Sequence, residues 1–224
     1  MGEKMKSQDI VLLLKLESLR QQEKRFAGAL DETTVNSVLN NNFWQDWEDE
    51  TEEERRGDIT PDIDLSETAK SFYTVRYLEQ VTGISKTQIA ESLNRSFESN
   101  LLRSERKTGL PRANLQGLLD FLVYGIKYVF PVKPAELTRG IATSFSAPVL
   151  NKKLITAGEF QLVWPDARAN SKGLAVAPLH KTVPYAVRRD NRMYAMLALI
   201  DAIRMGNPRE ANLAADVLNT IMKE

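Results

Sequence analysis

The chain has no cysteine and a single histidine, His180, among its 224 residues. Without thiols there is no disulfide framework, no thiolate metal site and no thiol nucleophile, so disulfide-stapled secreted mini-domains, zinc ribbons and thiol enzymes are excluded. Long apolar runs are missing too. The longest unbroken aliphatic stretch is Ile10-Val11-Leu12-Leu13-Leu14, and the apolar segment 115–130 is interrupted by Asp120 and Lys127, short of the roughly 18 to 20 residues that a membrane span needs. Nor does the start show a basic leader followed by an apolar run and a small-residue cleavage site. The expectation is a cytoplasmic protein that begins as the mature chain and makes no membrane contact. Catalytic motifs are equally scarce, with no Gly-x-x-x-x-Gly-Lys loop, no Gly-x-Ser-x-Gly elbow and no His-x-x-x-His pair. His180 stands between Leu179 and Lys181 and reads as a surface or satisfied structural residue. A chain that is not an enzyme, with no catalytic residue, no cofactor and no metal site, is expected.

Net charge is also missing, with 30 basic side chains balancing 30 acidic ones. The balance hides an asymmetry. Residues 1–70 hold 9 basic and 17 acidic groups, whereas 71–224 hold 21 and 13, so a net of −8 sits beside a net of +8. The positive part suits an anionic partner. In the negative part Asp46, Glu48, Asp49, Glu50, Glu52, Glu53 and Glu54 crowd together, and Arg55 and Arg56 compensate only in part. Like charges at this density stay in water and read as a solvated segment; the alternative is an acidic flap that shields a basic surface from non-specific DNA.

What is present divides the chain into four blocks. Residues 1–25 form a helix that Ser7 is placed to cap, with Ile10, Val11, Leu13 and Leu14 on its apolar face. Residues 26–71 are an acidic insertion or linker. They hold one apolar patch (Val35, Val38, Leu39, Phe43, Trp44, Trp47), read as a helix, and the turn signals Arg56-Gly57-Asp58 and Thr60-Pro61-Asp62. Residues 72–130 contain two short helices broken at Thr82-Gly83-Ile84-Ser85, a basic stretch, and an apolar helix over 114–130. Residues 131–224 hold six of the nine prolines before position 185, which predicts loops and short strands, with 160–164 the best strand candidate. Two closing helices follow, over 190–205 and 208–222. Gly206 suits the left-handed position after the first, and Asn207, Pro208 and Glu210 form the start of the second. Asp201 is expected to pair with Arg204 or Arg209, and Trp164 to lie in the core.

The segment from Val75 to Arg95 has the spacing of a helix-turn-helix. Leu78 and Val81 pack the first helix, Gly83 supplies a positive φ, Ile84 fills the gap, and Ile89 and Leu93 seat the second helix. Ser85 is its N-cap. Lys86, Thr87, Gln88, Glu91 and Arg95 are then expected to point outward, where a recognition helix meets base edges and phosphates. Beyond it, Arg103, Arg106, Lys107 and Arg112 fall in a polar stretch around Gly109-Leu110-Pro111, as a basic wing tip on the phosphate backbone requires. Two positions depart from the pattern: Glu79 stands where such motifs carry Ala, and Ser92 where an apolar residue is usual, leaving Tyr77 and Leu93 to take over the packing.

On these residues, 73–112 resemble the winged helix-turn-helix of MarR-type bacterial transcription regulators, with the helix over 9–19 packing behind it. The segments Arg139-Gly140-Ile141-Ala142-Thr143, Ala147-Pro148, Val163-Trp164-Pro165, Val183-Pro184, Ala198-Leu199-Ile200-Asp201-Ala202-Ile203-Arg204, Gly206 and Arg209-Glu210 are similar to the C-terminal half of bacterial helix-turn-helix regulators, some encoded beside nucleotidyltransferase-like toxins. The resemblance covers about 170 residues and implies neither ligand nor catalytic residue. The expected fold is mainly α: a winged helix-turn-helix followed by a C-terminal α+β region of short strands and two closing helices. The expected function is sequence-specific binding of double-stranded DNA by a homodimer that represses transcription, with residues 131–224 as a dimerisation or partner-binding region and the helices at 115–130 and 190–205 as the contacts with a second copy, a partner protein or both. The alternative is a protein-interaction module, such as an antitoxin-like partner of a neighbouring enzyme, bound to a cognate protein.

Overall fold

In the computed structural model, which describes residues 3–26, 45–48, 70–150 and 160–223, the chain is mainly helical with two small sheets. Helix α1 (Ser7–Phe26) starts without the Ser7 cap. Ser7 is already helical, and the Asp9 carboxylate accepts the Lys6 N–H at 2.8 Å instead, the reach-back half of a capping box. Ile10, Val11, Leu13 and Leu14 are buried as their spacing predicts, but so are Leu12, Leu16 and Leu19, together with Lys15, Glu17, Ser18 and Gln21. The single apolar face was too narrow a reading. Residues 75–113 cover one side of α1 and the C-terminal helices cover the other.

Next come α2 (Val75–Thr82), α3 (Lys86–Glu98) and an antiparallel hairpin of β1 (Leu102–Ser104) and β2 (Pro111–Ala113). The expected apolar helix is α4 (Leu115–Asp120), which passes through a π-helical turn (Phe121–Gly125) into α5 (Ile126–Val129).

The proline-rich region forms β3 (Leu137–Ala142), β4 (Leu162–Pro165) and β5 (Lys172–Ala175). Of these the sequence pointed only to β4, which starts two residues later and ends one residue later than the expected 160–164. β3 pairs antiparallel with both others while β4 and β5 pair in parallel, so three strands close on themselves. Gly140 permits the closure, since a Cβ there would lie 2.1 Å from the Trp164 carbonyl oxygen. Trp47 was read as part of a helix; it makes an extended bridge to Ala169 and stacks edge-on against Tyr194. Beside it Ser171 donates to the Asp46 carboxylate and the Glu48 N–H to the Arg168 carbonyl, so this part of the acidic stretch is docked. The rest of the patch (Val35 to Trp44), the run from Asp49 to Glu54 and both turn signals lie outside the described residues.

The chain closes with α6 (Val183–Val187), α7 (Asn191–Met205) and α8 (Pro208–Lys223). α7 is buried from Arg192 to Ile203, wrapped by α1, α6, α8 and the 3-10 turn Ser144–Ser146. It is core, not the contact with a second copy or a partner protein that its apolar face suggested. At the α7–α8 junction Gly206 has φ −66° and ψ 151° rather than the left-handed conformation. Closeness is what requires glycine, since a Cβ would lie 2.5 Å from the Ala202 carbonyl oxygen. Asn207 and Glu210 bond reciprocally, at 3.1 and 3.0 Å, as a capping box should. Asn207→Ala is expected to lower unfolding stability by about 1 kcal/mol in urea titration, with m unchanged.

Buried polar groups tie α1 to this end. Lys15 and Ser18 donate to Asp190 Oδ2 at 2.8 and 2.7 Å, and Asp190 Oδ1 accepts the Met193 N–H as the N-cap of α7. The Gln21 amide reaches the carbonyls of Ile221 and Met222, and Arg192 bonds Gln21 and Ile221, which satisfies the end of α8. Burial alone would push the Asp190 carboxyl up, but the Lys15 ammonium and the Met193 and Ser18 hydrogen bonds hold it below its ordinary value. A depressed carboxylate stabilises the fold above its unfolded pKa, about 3.9, and that contribution disappears as pH falls through the lower folded value. Stability measured from pH 6 down to pH 2 should therefore fall steeply below about pH 4, and Asp190→Asn should flatten that fall while lowering the plateau.

Candidate nucleic-acid interface

Thr74 caps α2 by accepting the Tyr77 N–H, and Gly83 ends it at φ 68° with its own N–H on the Glu79 carbonyl at 2.8 Å. The Thr82 hydroxyl donates to the Leu78 carbonyl and accepts the Ile84 N–H, which fixes the corner. Leu78, Val81, Ile84 and Ile89 are buried beneath it, and Tyr77 and Leu93 pack partly buried against the core. Ser85 caps α3 from the Gln88 N–H. The corner is braced from α6: the Tyr185 hydroxyl donates to the Gln80 carbonyl at 2.7 Å, and a Cβ on Gly83 would meet Tyr185 and Thr182 at 3.1 and 3.3 Å. Gly83→Ala is expected to cost about 1–2 kcal/mol for the left-handed backbone alone, read from urea unfolding.

Ser85, Lys86, Thr87 and Glu91 are exposed and Gln88 is half-buried. Arg95 is not outward. Its guanidinium is buried, with Nε and Nη2 on the two Asp9 oxygens at 3.0 and 2.8 Å, and it also bonds Glu3 and Ser92. Those bonds to Asp9 and Glu3 hold its pKa above the ordinary arginine value. The reason is that α3 leans on the start of α1, which presents a buried carboxylate to the turn where Arg95 sits. Both departures from the motif have uses. Ser92 accepts from the Gln8 amide and from Arg95, and Glu79 accepts the Lys86 N–H at 3.2 Å with its second oxygen 3.6 Å from the Lys86 ammonium.

In the hairpin Arg103, Arg106 and Lys107 are exposed and make no ion pair with another described residue. Arg112 differs. It lies against α1 with Glu23 at 2.7 Å, Glu105 at 3.2 Å, the Tyr73 hydroxyl at 2.5 Å and the Tyr73 ring centroid at 5.0 Å. Strand alternation does not separate the two arginines, since Arg112 is directly opposite Arg103 in the ladder and shares its face; what differs is that Arg112 has the carboxylates of Glu23 and Glu105 and the Tyr73 hydroxyl within reach. The Thr108 hydroxyl, with Arg112, holds the Glu105 carboxyl below its ordinary value.

The exposed charges of α3 itself are Lys86 against Glu91 and Glu98. Around the corner, the exposed cations are Arg76 on α2, Lys86 on α3 and Arg103, Arg106 and Lys107 in the hairpin, so the hairpin holds three of these five. Asn94, exposed and seven residues beyond Thr87, shares its face of α3, and asparagine is a side chain suited to adenine; its spacing was the available signal and sequence reasoning passed over it.

Elsewhere the chemistry is structural. Asp201 accepts from Arg204 at 2.6 Å, Trp164 Nε1 at 2.6 Å and the Thr143 hydroxyl at 3.0 Å. Trp164 is core as expected. His180 is half-buried with Nδ1 against the Thr182 hydroxyl, and burial and Lys181 lower its pKa. Among the described residues no three of His, Cys, Asp and Glu gather as a metal ion requires, and no helix is long and apolar enough to cross a membrane. The chain matches no known family, no curated protein and no solved structure.

Proposed function

We propose that the chain is a sequence-specific DNA-binding transcription regulator of the MarR-like kind, acting in the cytoplasm as a homodimer, with α1–α3 and the β1–β2 hairpin as a winged helix-turn-helix. The observation that carries this reading is the left-handed corner at Gly83, followed by the Ser85 cap of an exposed α3 that runs into a hairpin bearing three exposed cations without an ion pair among the described residues. Lys86, Thr87, Gln88 and Asn94 read base edges, and Arg103, Arg106 and Lys107 hold phosphates. A two-fold dimer doubles the few base pairs that one helix reads and sets repression by occupancy of a paired site.

The test is a titration of the protein against DNA from upstream of its own gene and scrambled DNA of equal length, at several salt concentrations. Preference for the native sequence, reduced in Lys86→Ala/Gln88→Ala, supports the regulator. No binding to either DNA at low salt overturns it.

A second reading, the antitoxin-like interaction module, has one observation in its favour: the exposed face of α3 is net acidic. It predicts a co-purifying partner whose binding survives charge reversal at Lys86.

A further inference from the structure

We propose that two copies of the chain meet through the outward face of α4–α5, antiparallel about a two-fold axis close to Tyr124. The inward face of this segment is spent on the core, where Leu118, Leu122 and Ile126 are fully buried. Outward, Tyr124 and Tyr128 are 73% and 75% exposed and Val129 is 50% exposed. No other large hydrophobic residues among those described are as open to water as the two tyrosines. The π-helical turn at Phe121–Gly125 lies between the two halves of the face. Such turns are rare and recur at functional sites, and a Cβ on Gly125 would press against the Phe121 ring at 3.0 Å.

Charge selects the occupant. Asp120 stands exposed at one end of the face, and its Oδ1 accepts the Gln116 amide at 2.9 Å. Lys127 stands at the other, its ammonium 5.0 Å from the Tyr128 ring centroid. Neither makes an ion pair with another described residue. An antiparallel two-fold places Asp120 of each copy against Lys127 of the other, so one patch complements itself twice, as an isologous contact requires. A groove of about 430 Å³ between α4 and α8 adjoins the face, with Leu119 and Val123 offering apolar wall and Asn212, Asp216 and Asn219 offering acceptors. That mixture fits a tyrosine ring with its hydroxyl, which Tyr128 of the second copy supplies.

This inference rests on the dimeric part of the proposed function and not on DNA binding. Sedimentation of the full chain without DNA, over a range of concentrations, tests it. The native protein should dimerise, Asp120→Lys and Lys127→Asp should each weaken the dimer at least about 10-fold, and Asp120→Lys/Lys127→Asp should restore it to within about twofold. Thermal melting of each variant shows that the fold is kept. A dimer indifferent to the single reversals, or one that the double reversal fails to restore, overturns this interface and leaves the homodimer standing. A native chain that is monomeric at every concentration overturns both, whereas the DNA titration reads the regulator itself independently.

Discussion

Arg95→Ala is expected to lower the unfolding free energy by about 3–5 kcal/mol, although sequence spacing assigned this residue to DNA. The substitution leaves the Asp9 carboxylate, 1% exposed, facing a void instead of the bidentate guanidinium that holds it now. An unpaired buried charge is far costlier than the pair's own net contribution. Against a typical domain stability of 5–15 kcal/mol the loss is large, and for a chain of this length it corresponds to a melting temperature lower by roughly 6–20 °C. Arg95→Lys keeps the charge but not the planar fork, so it should fall between native and alanine. Asp9→Asn/Arg95→Ala removes both charges and should recover most of the loss, as coupled sites do. Urea unfolding with m unchanged measures all three. A loss under about 1 kcal/mol for Arg95→Ala would overturn the structural role, and an unchanged DNA salt slope in that variant would separate it from the residues that touch phosphate.

Local features were legible at some positions where a single residue type dictates geometry, and misread at Ser7 and Gly206, where the chain uses the residue differently. Gly83, Ser85, Thr82 and Ile84 define the corner by backbone sterics and capping alone, and Asn207 with Glu210 defines the start of α8 in the same way. Partner choice was not legible. Arg95 and Arg103 are alike as sequence, yet one meets a carboxylate 86 residues away in the chain and the other meets solvent. The same blindness made α1 and α7 look one-faced: a helix covered on every side still carries lysine, glutamate or arginine when distant groups pair with them, as Asp190 does with Lys15. The three-stranded closure was hidden for a related reason. Gly140 and Gly173 stand where a neighbouring backbone leaves no room for a Cβ, and the burial of β3 and β5 does not alternate along either strand, so neither shows a period-two pattern.

Arg103→Ala/Arg106→Ala/Lys107→Ala is expected to change DNA affinity more than any substitution on α3. If each cation neutralises one phosphate of double-stranded DNA, removing three should reduce the log–log salt slope by about 2.7. The affinity difference then follows from that slope. Native and variant converge near 1 M salt and separate by about 500-fold at 0.1 M, for upstream and scrambled DNA alike. Stability should stay within about 0.5 kcal/mol of native, because the three side chains are exposed and without ion pairs among the described residues. Lys86→Ala/Gln88→Ala should behave in the opposite sense, with a slope change near 1 and a loss confined mainly to the preferred sequence. A triple variant that binds with the native salt slope would remove the hairpin from the interface. The excess of acidic over basic groups on the exposed face of α3 would then leave the helix without a source of attraction for DNA, so the regulator reading depends on this result more than on any single base contact.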